Sequence, residues 1–209
     1  MVKIKEMPYS EKFKKVMDEI KFEDTQTLIF VKKHLGDQAV AELQKNQKEV
    51  CKPIRGDATF EEKYETAFGN WVSSGGLTFI FIRSRLGEEG IQDFIKMNVD
   101  AYIRENKGIP TYILGLVRLI SPSAAFSMFV KNMSYEMQWF GPAKISEMSK
   151  SRLVTDIPHC KILDYPYCED VCVIGCQKLF PMIFAEQFKV KSRYNRQDKS
   201  CVSVVTPLK

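Results

Sequence analysis

The chain has 209 residues, 44% hydrophobic and 27% charged, with a formal net charge of +5. A chain of this length buries most of its apolar surface without disulfides, and its ordinary composition excludes wholesale disorder. The positive charge is modest and spread along the chain, and no nucleic-acid-binding module accompanies the basic stretch KVKSRYNRQDK, so nucleic acid is not the expected partner.

The first fifteen residues, MVKIKEMPYSEKFKK, hold no apolar core of a secretory signal. The longest apolar runs, LTFIFI at 77–82 and YILGLV at 112–117, fall far short of the roughly 20 residues that span a bilayer. The expectation is a cytoplasmic protein with no membrane insertion, whose thiols stay reduced.

Residues 9–50 read as three helices. Ser10 caps the first, with Phe13, Val16, Met17 and Ile20 on one face. Thr25 caps a second that ends at Gly36, and Asp37 opens a third. The early charges, including Asp18 and Glu19, read as a solvated helix face. CKPIRGDATFEEKYE has the punctuation of a linker, and its RGD tripeptide is a chance match in a chain of this kind. An N-terminal helical segment over 1–55 and a second domain over 56–209 follow.

Residues 58–86 read as helical with an interruption at SSGG (73–76). In GEEGIQDFIKMNVDAYIREN, Ile91, Phe94, Ile95, Val99 and Tyr102 share one face of an amphipathic helix. The helical pattern continues from Ile109 to Lys150, with Pro110 at a first turn and Ser121–Pro122 as cap and first position of another helix. RLVTDIPHC then reads as a strand, CQKLFPMIFAEQF as a helix, and KVKSRYN with KSCVSVVTPL as two closing antiparallel strands. The fold class is α+β: N-terminal helices, then a helical layer on a small antiparallel sheet with a cysteine-rich C-terminal segment.

Four of the six cysteines lie in PHCKILDYPYCEDVCVIGCQK. Cys168, Cys172 and Cys176 recur every four residues, Cys160 ends the preceding strand and Cys201 lies in the last one. Four thiolates, or three with His159, suit tetrahedral zinc or an iron–sulfur cluster, because both take soft sulfur ligands. The spacing matches neither a zinc ribbon nor a ferredoxin run. Packing is the alternative, since cysteine behaves as a small apolar side chain. A metal held among Cys160, Cys168, Cys172, Cys176 and Cys201 is the preferred reading.

The segments TDIPHC, CVIG, CQKLFPMIFAEQF and KSCVSVV, preceded by LISPSAAFSMFVKNMSYEMQWFG, resemble the 4-vinyl reductase domain superfamily. Within it they resemble the L-2-amino-thiazoline-4-carboxylic acid hydrolase-like group. The likeness covers roughly 75–205 and departs from the group where relatives carry a further cysteine on the penultimate strand and GD before the last one. The resemblance implies a pocket between long helices and sheet for a small apolar or planar ligand, a metal near the C-terminal cysteines, and a homodimer.

Tyr112, Phe126, Phe129, Tyr135, Trp139 and Phe140 supply the aromatic character of such a pocket, although burial statistics favour a core role for residues of this type. Arg118, a charge amid YILGLVRLISP, must reach solvent, a carboxylate or a ligand anion. Arg118, Phe129, Tyr135 and Trp139 are the ligand-binding candidates. The preferred function is small-molecule binding with a cysteine-held metal, zinc or an iron–sulfur cluster. The alternative is a metal-dependent hydrolase of a small cyclic amide or thiazoline, with Asp156, Asp164, Glu169 and Asp170 as candidate bases.

Overall fold

A computed structural model describes residues 5–105, 121–139, 144–185 and 188–208. It divides into two compact units. The helical unit comprises Pro8–Asn98 and Ile162–Gly175; the sheet unit comprises Met1–Met7, Val99–Lys161 and Cys176–Lys209. Helices and a four-stranded antiparallel sheet make the class α+β. No helix among the described residues is long and apolar enough to cross a membrane.

In the helical unit, α1 (Tyr9–Leu35) runs without a break. Thr25 does not cap a second helix: its hydroxyl donates back to the Lys21 carbonyl at 2.7 Å, a bond that lets threonine sit inside a helix. Gly36, with φ 84°, then turns the chain into α2 (Asp37–Val50), as its position after the last apolar residue predicts. After an extended stretch, Thr59 and Glu62 form a reciprocal capping box that starts α3 (Phe60–Glu105). Asn70 holds the preceding segment by accepting from the Lys52 N–H and donating to the Lys52 carbonyl.

The interruption expected at SSGG is absent; α3 passes through it and kinks at Gly87, where φ is 67°. Gly76 of that stretch, and Gly69 two turns earlier, serve close approach instead. A Cβ on Gly69 would stand 2.6 Å from the Tyr165 ring, and one on Gly76 would overlap the Tyr167 backbone. The core gathers Val16, Phe30, Leu43, Phe68, Ile82, Ile91, Phe94 and Ile95, all buried. Phe30 meets Phe94 edge-on at 5.1 Å, so the apolar face read in GIQDFIKMNV is a core face.

In the sheet unit, α4 (Pro122–Glu136) starts where Ser121 and Pro122 predict, with the Ser121 hydroxyl accepting from the Ala124 N–H. The strands are β1 (Lys144–Met148), β2 (Leu153–Ile157), β3 (Phe188–Asn195) and β4 (Ser200–Pro207), in spatial order β1-β2-β4-β3. β1 lies in a stretch read as helical. Phe126, Phe129 and Val130 of α4 pack on Leu153, Phe188, Val190 and Val205, one from every second position of their strands.

The cysteine stretch is helical but irregular. A turn of α-helix, Cys168–Asp170, leads into a π-helix, Val171–Leu179, and a final α-turn, Phe180–Ile183. Nine residues of π-helix are unusual, since such geometry normally appears as a single bulge.

Candidate thiol site of the sheet unit

Cys201 lies on β4 opposite Ile157 of β2 and Tyr194 of β3. Alternation along the strand puts it on the same side as buried Ser203 and Val205, the core side. Cys160 follows β2 after exposed Pro158 and His159 and is itself only 4% exposed. Its N–H donates to the Lys199 carbonyl at 2.6 Å, which fastens it to the chain two residues before Cys201. Lys199 takes a left-handed φ of 54° to make that turn. Two strand ends that are 41 positions apart in sequence are thus locked together with a thiol on each.

All six cysteines are thiols. Burial, and then the neighbouring Cys160, push the Cys201 thiol up to about 11. A thiol so shifted is almost wholly protonated at neutral pH and is a weak nucleophile. A cation that bound it would have to displace its proton.

The other cysteines divide between the units. Cys176, half-buried on the π-helix, belongs to the sheet unit; Cys168 and Cys172 belong to the helical unit. Cys172 is 3% exposed beside buried Val171 and Ile174. Among the described residues, no three His, Cys, Asp or Glu side chains form a group that could hold a metal ion. The closed four-thiolate set needed by a structural zinc or a cubane cluster does not fit what is assembled here.

The ligand-binding candidates are placed as follows. Arg118 lies outside the described residues, as do Tyr112 and Phe140. Phe129 is a core residue whose ring stacks on Phe188 at 3.9 Å and meets Phe184 edge-on at 5.3 Å. Tyr135 is half-buried and Trp139 is buried at the end of a short 3-10 turn, Met137–Trp139. Gln138 in that turn accepts from the Met7 N–H and donates to the Lys5 carbonyl, tying down the N-terminal residues.

Of the candidate bases, Asp156 is on β2 between core-facing Thr155 and Ile157, so its side chain takes the opposite face of the sheet from Cys201. Asp170 is engaged by the Arg83 guanidinium at 2.5 Å, while Arg83 also meets Glu88 at 2.6 Å. Asp164 and Glu169 are exposed and belong to the helical unit. None of the four stands as a base beside Cys160 and Cys201 within the sheet unit.

A second group of ionisable residues escaped the sequence reading. Glu19 and Glu23 lie one turn apart on α1, both half-buried rather than solvated. Burial and Asp18 raise the Glu19 carboxyl to about 7. Burial raises Glu23 well above the usual carboxylate range, with Glu19 and Asp24 adding to it and the Trp71 indole opposing as a donor. Their i, i+4 spacing in DEIKFED was the available signal, hidden by the surrounding charges. Compared with known proteins, the chain matches no family model, no curated protein and no solved structure.

Proposed function

We propose that the chain is a cytoplasmic small-molecule-binding protein in which Cys160 and Cys201 anchor a soft cation, with zinc the first choice. The observation that carries this reading is the Cys160 N–H bond to the Lys199 carbonyl, two residues before Cys201, which brings Cys160 near enough to push the Cys201 thiol up. Two protein thiolates occupy half of a tetrahedral shell and leave two positions for donors on a small ligand. Metal and ligand then form one site rather than two. The resemblance of TDIPHC and KSCVSVV to 4-vinyl reductase domains supports the same placement, and with it a homodimer.

The hydrolytic alternative is less favoured. It asks for a base beside the metal, and the four candidate carboxylates do not supply one among the described residues of the sheet unit.

Zinc content after anaerobic purification and dialysis tests the proposal. The expected result is about one zinc per chain, lost in both Cys160→Ser and Cys201→Ser and kept in Cys168→Ser. Absence of zinc from the parent protein, or equal loss in all three variants, contradicts it. Sedimentation of the same samples reads the dimer.

A further inference from the structure

β3 is an edge strand: it pairs with β4 on one side and, among the described residues, with no strand on the other. Its side chains alternate cleanly. Phe188, Val190, Ser192 and Tyr194 face the core side, while Lys189, Lys191 and Arg193 stand exposed on the outer face. Successive cations are therefore about 6.7 Å apart along the strand. Among the described residues none of the three is in an ion pair. Beside them on β4, Thr206, Val204 and Val202 continue the outer face, with Val202 38% exposed, and Val154 of β2 lies beyond Val204.

Lysines on an edge strand discourage indiscriminate pairing, and that role alone would explain one or two of them. Three unpaired cations at a two-residue period beside exposed Val202 and half-buried Val204 also select by charge. A strand laid along β3 would bring alternate side chains about 5 Å from Lys189, Lys191 and Arg193, where opposite charges stabilise and like charges repel. Among the described strand residues of that face there is no aromatic ring, which single-stranded nucleic acids use for stacking. We infer that β3 is a docking edge for an extended acidic segment of a partner protein, alternating Asp or Glu with apolar residues, added as a fifth strand. Main-chain hydrogen bonds would provide affinity and the cation row the choice of sequence.

The test uses the full chain and a fluorescent peptide alternating Glu with Val, followed by anisotropy at low salt and by amide exchange of β3. Controls are a peptide of the same composition with all Glu in one block, and a single-stranded oligonucleotide of equal charge. The alternating peptide should bind best, protect β3 amides, and weaken at least about tenfold in Lys191→Glu combined with Arg193→Glu. The double replacement by Gln should weaken it less, which separates charge from loss of folding. Equal binding of both peptides, preference for the oligonucleotide, unchanged affinity in the reversed variant, or no binding overturns the inference.

Discussion

The two units bury different things. The sheet unit closes over an aliphatic and aromatic core, and its buried polar side chains, Thr155 and Ser203, lie on the strands themselves. The helical unit takes in Gln26, Thr27, Ser73, Thr78 and Asn98, and half-buries Glu19 and Glu23. Buried polar side chains find partners in both units: Ser203 meets the Ser192 hydroxyl on the sheet, and in the helical unit Gln47 bonds Thr78 and Asn98 donates to the Phe94 carbonyl. The cysteines also differ: Cys172 is buried in the helical unit, whereas Cys160 of the sheet unit is fastened through its N–H to the Lys199 carbonyl, two residues before Cys201.

The sharpest way to break this comparison is to open the apolar core. Phe129→Ala removes a ring that touches Phe188 and Phe184, and should cost about 3–5 kcal/mol in urea unfolding monitored in the sheet unit. A cost below about 1 kcal/mol would mean that Phe129 lines an open site rather than a filled core. In the helical unit, Gly76→Ala forces a Cβ onto the Tyr167 backbone and should cost about 1–3 kcal/mol, while Gly56→Ala, with open space around it, should be nearly silent in the same melt.

The acidic pair makes the helical unit the pH-sensitive one. Both carboxyls are raised in the fold relative to the unfolded chain, so folding favours their protonated forms. Their contribution is fully present below about 4.5 and is lost as pH rises through about 7 for Glu19. Thermal stability should therefore fall between pH 5 and pH 8, on the order of 1–2 kcal/mol after solvent screening. Glu19→Gln should flatten that slope and raise the midpoint at pH 8; a variant with the parent's slope would remove Glu19 from the explanation. Among the destabilising changes the smallest effect expected is Thr59→Ala, which breaks the capping box and should lower stability by about 1 kcal/mol in the same assay.

Much of the architecture was legible where a local signal had a local cause. Gly36 before Asp37, Ser121–Pro122, and the alternation of KVKSRYN and SCVSVV each mark an element that exists. The failures are equally physical. SSGG carries a helix penalty of roughly 1 kcal/mol per glycine, yet the close approach of the Tyr167 backbone to Gly76 gives that glycine a tertiary reason. β1 has one inward residue, half-buried Ile145, and is otherwise exposed, so KISEM shows no two-residue pattern.

The cysteine cluster was legible in the sequence, but not which thiols the fold brings near one another. A cluster of cysteines late in the chain is plain from spacing, and the regular interval of Cys168, Cys172 and Cys176 drew attention to those three. Cys160 comes near Cys201 because its N–H meets the Lys199 carbonyl just past the end of β2, which depends on β2 pairing with β4, a contact that no local pattern encodes. Glu23 was disguised for a similar reason: Gly75 and Trp71 of α3, remote in sequence, lie against it.

The central claim is that Cys160 and Cys201 together bind a soft cation. Titration of the reduced, zinc-free chain with cobalt(II), followed through its thiolate charge-transfer absorption, tests it most directly. The account predicts a band that saturates near one cobalt per chain, disappears in Cys160→Ser and in Cys201→Ser, and survives in Cys172→Ser. No band in the parent protein, or a band that Cys172→Ser removes and Cys201→Ser leaves intact, would contradict it.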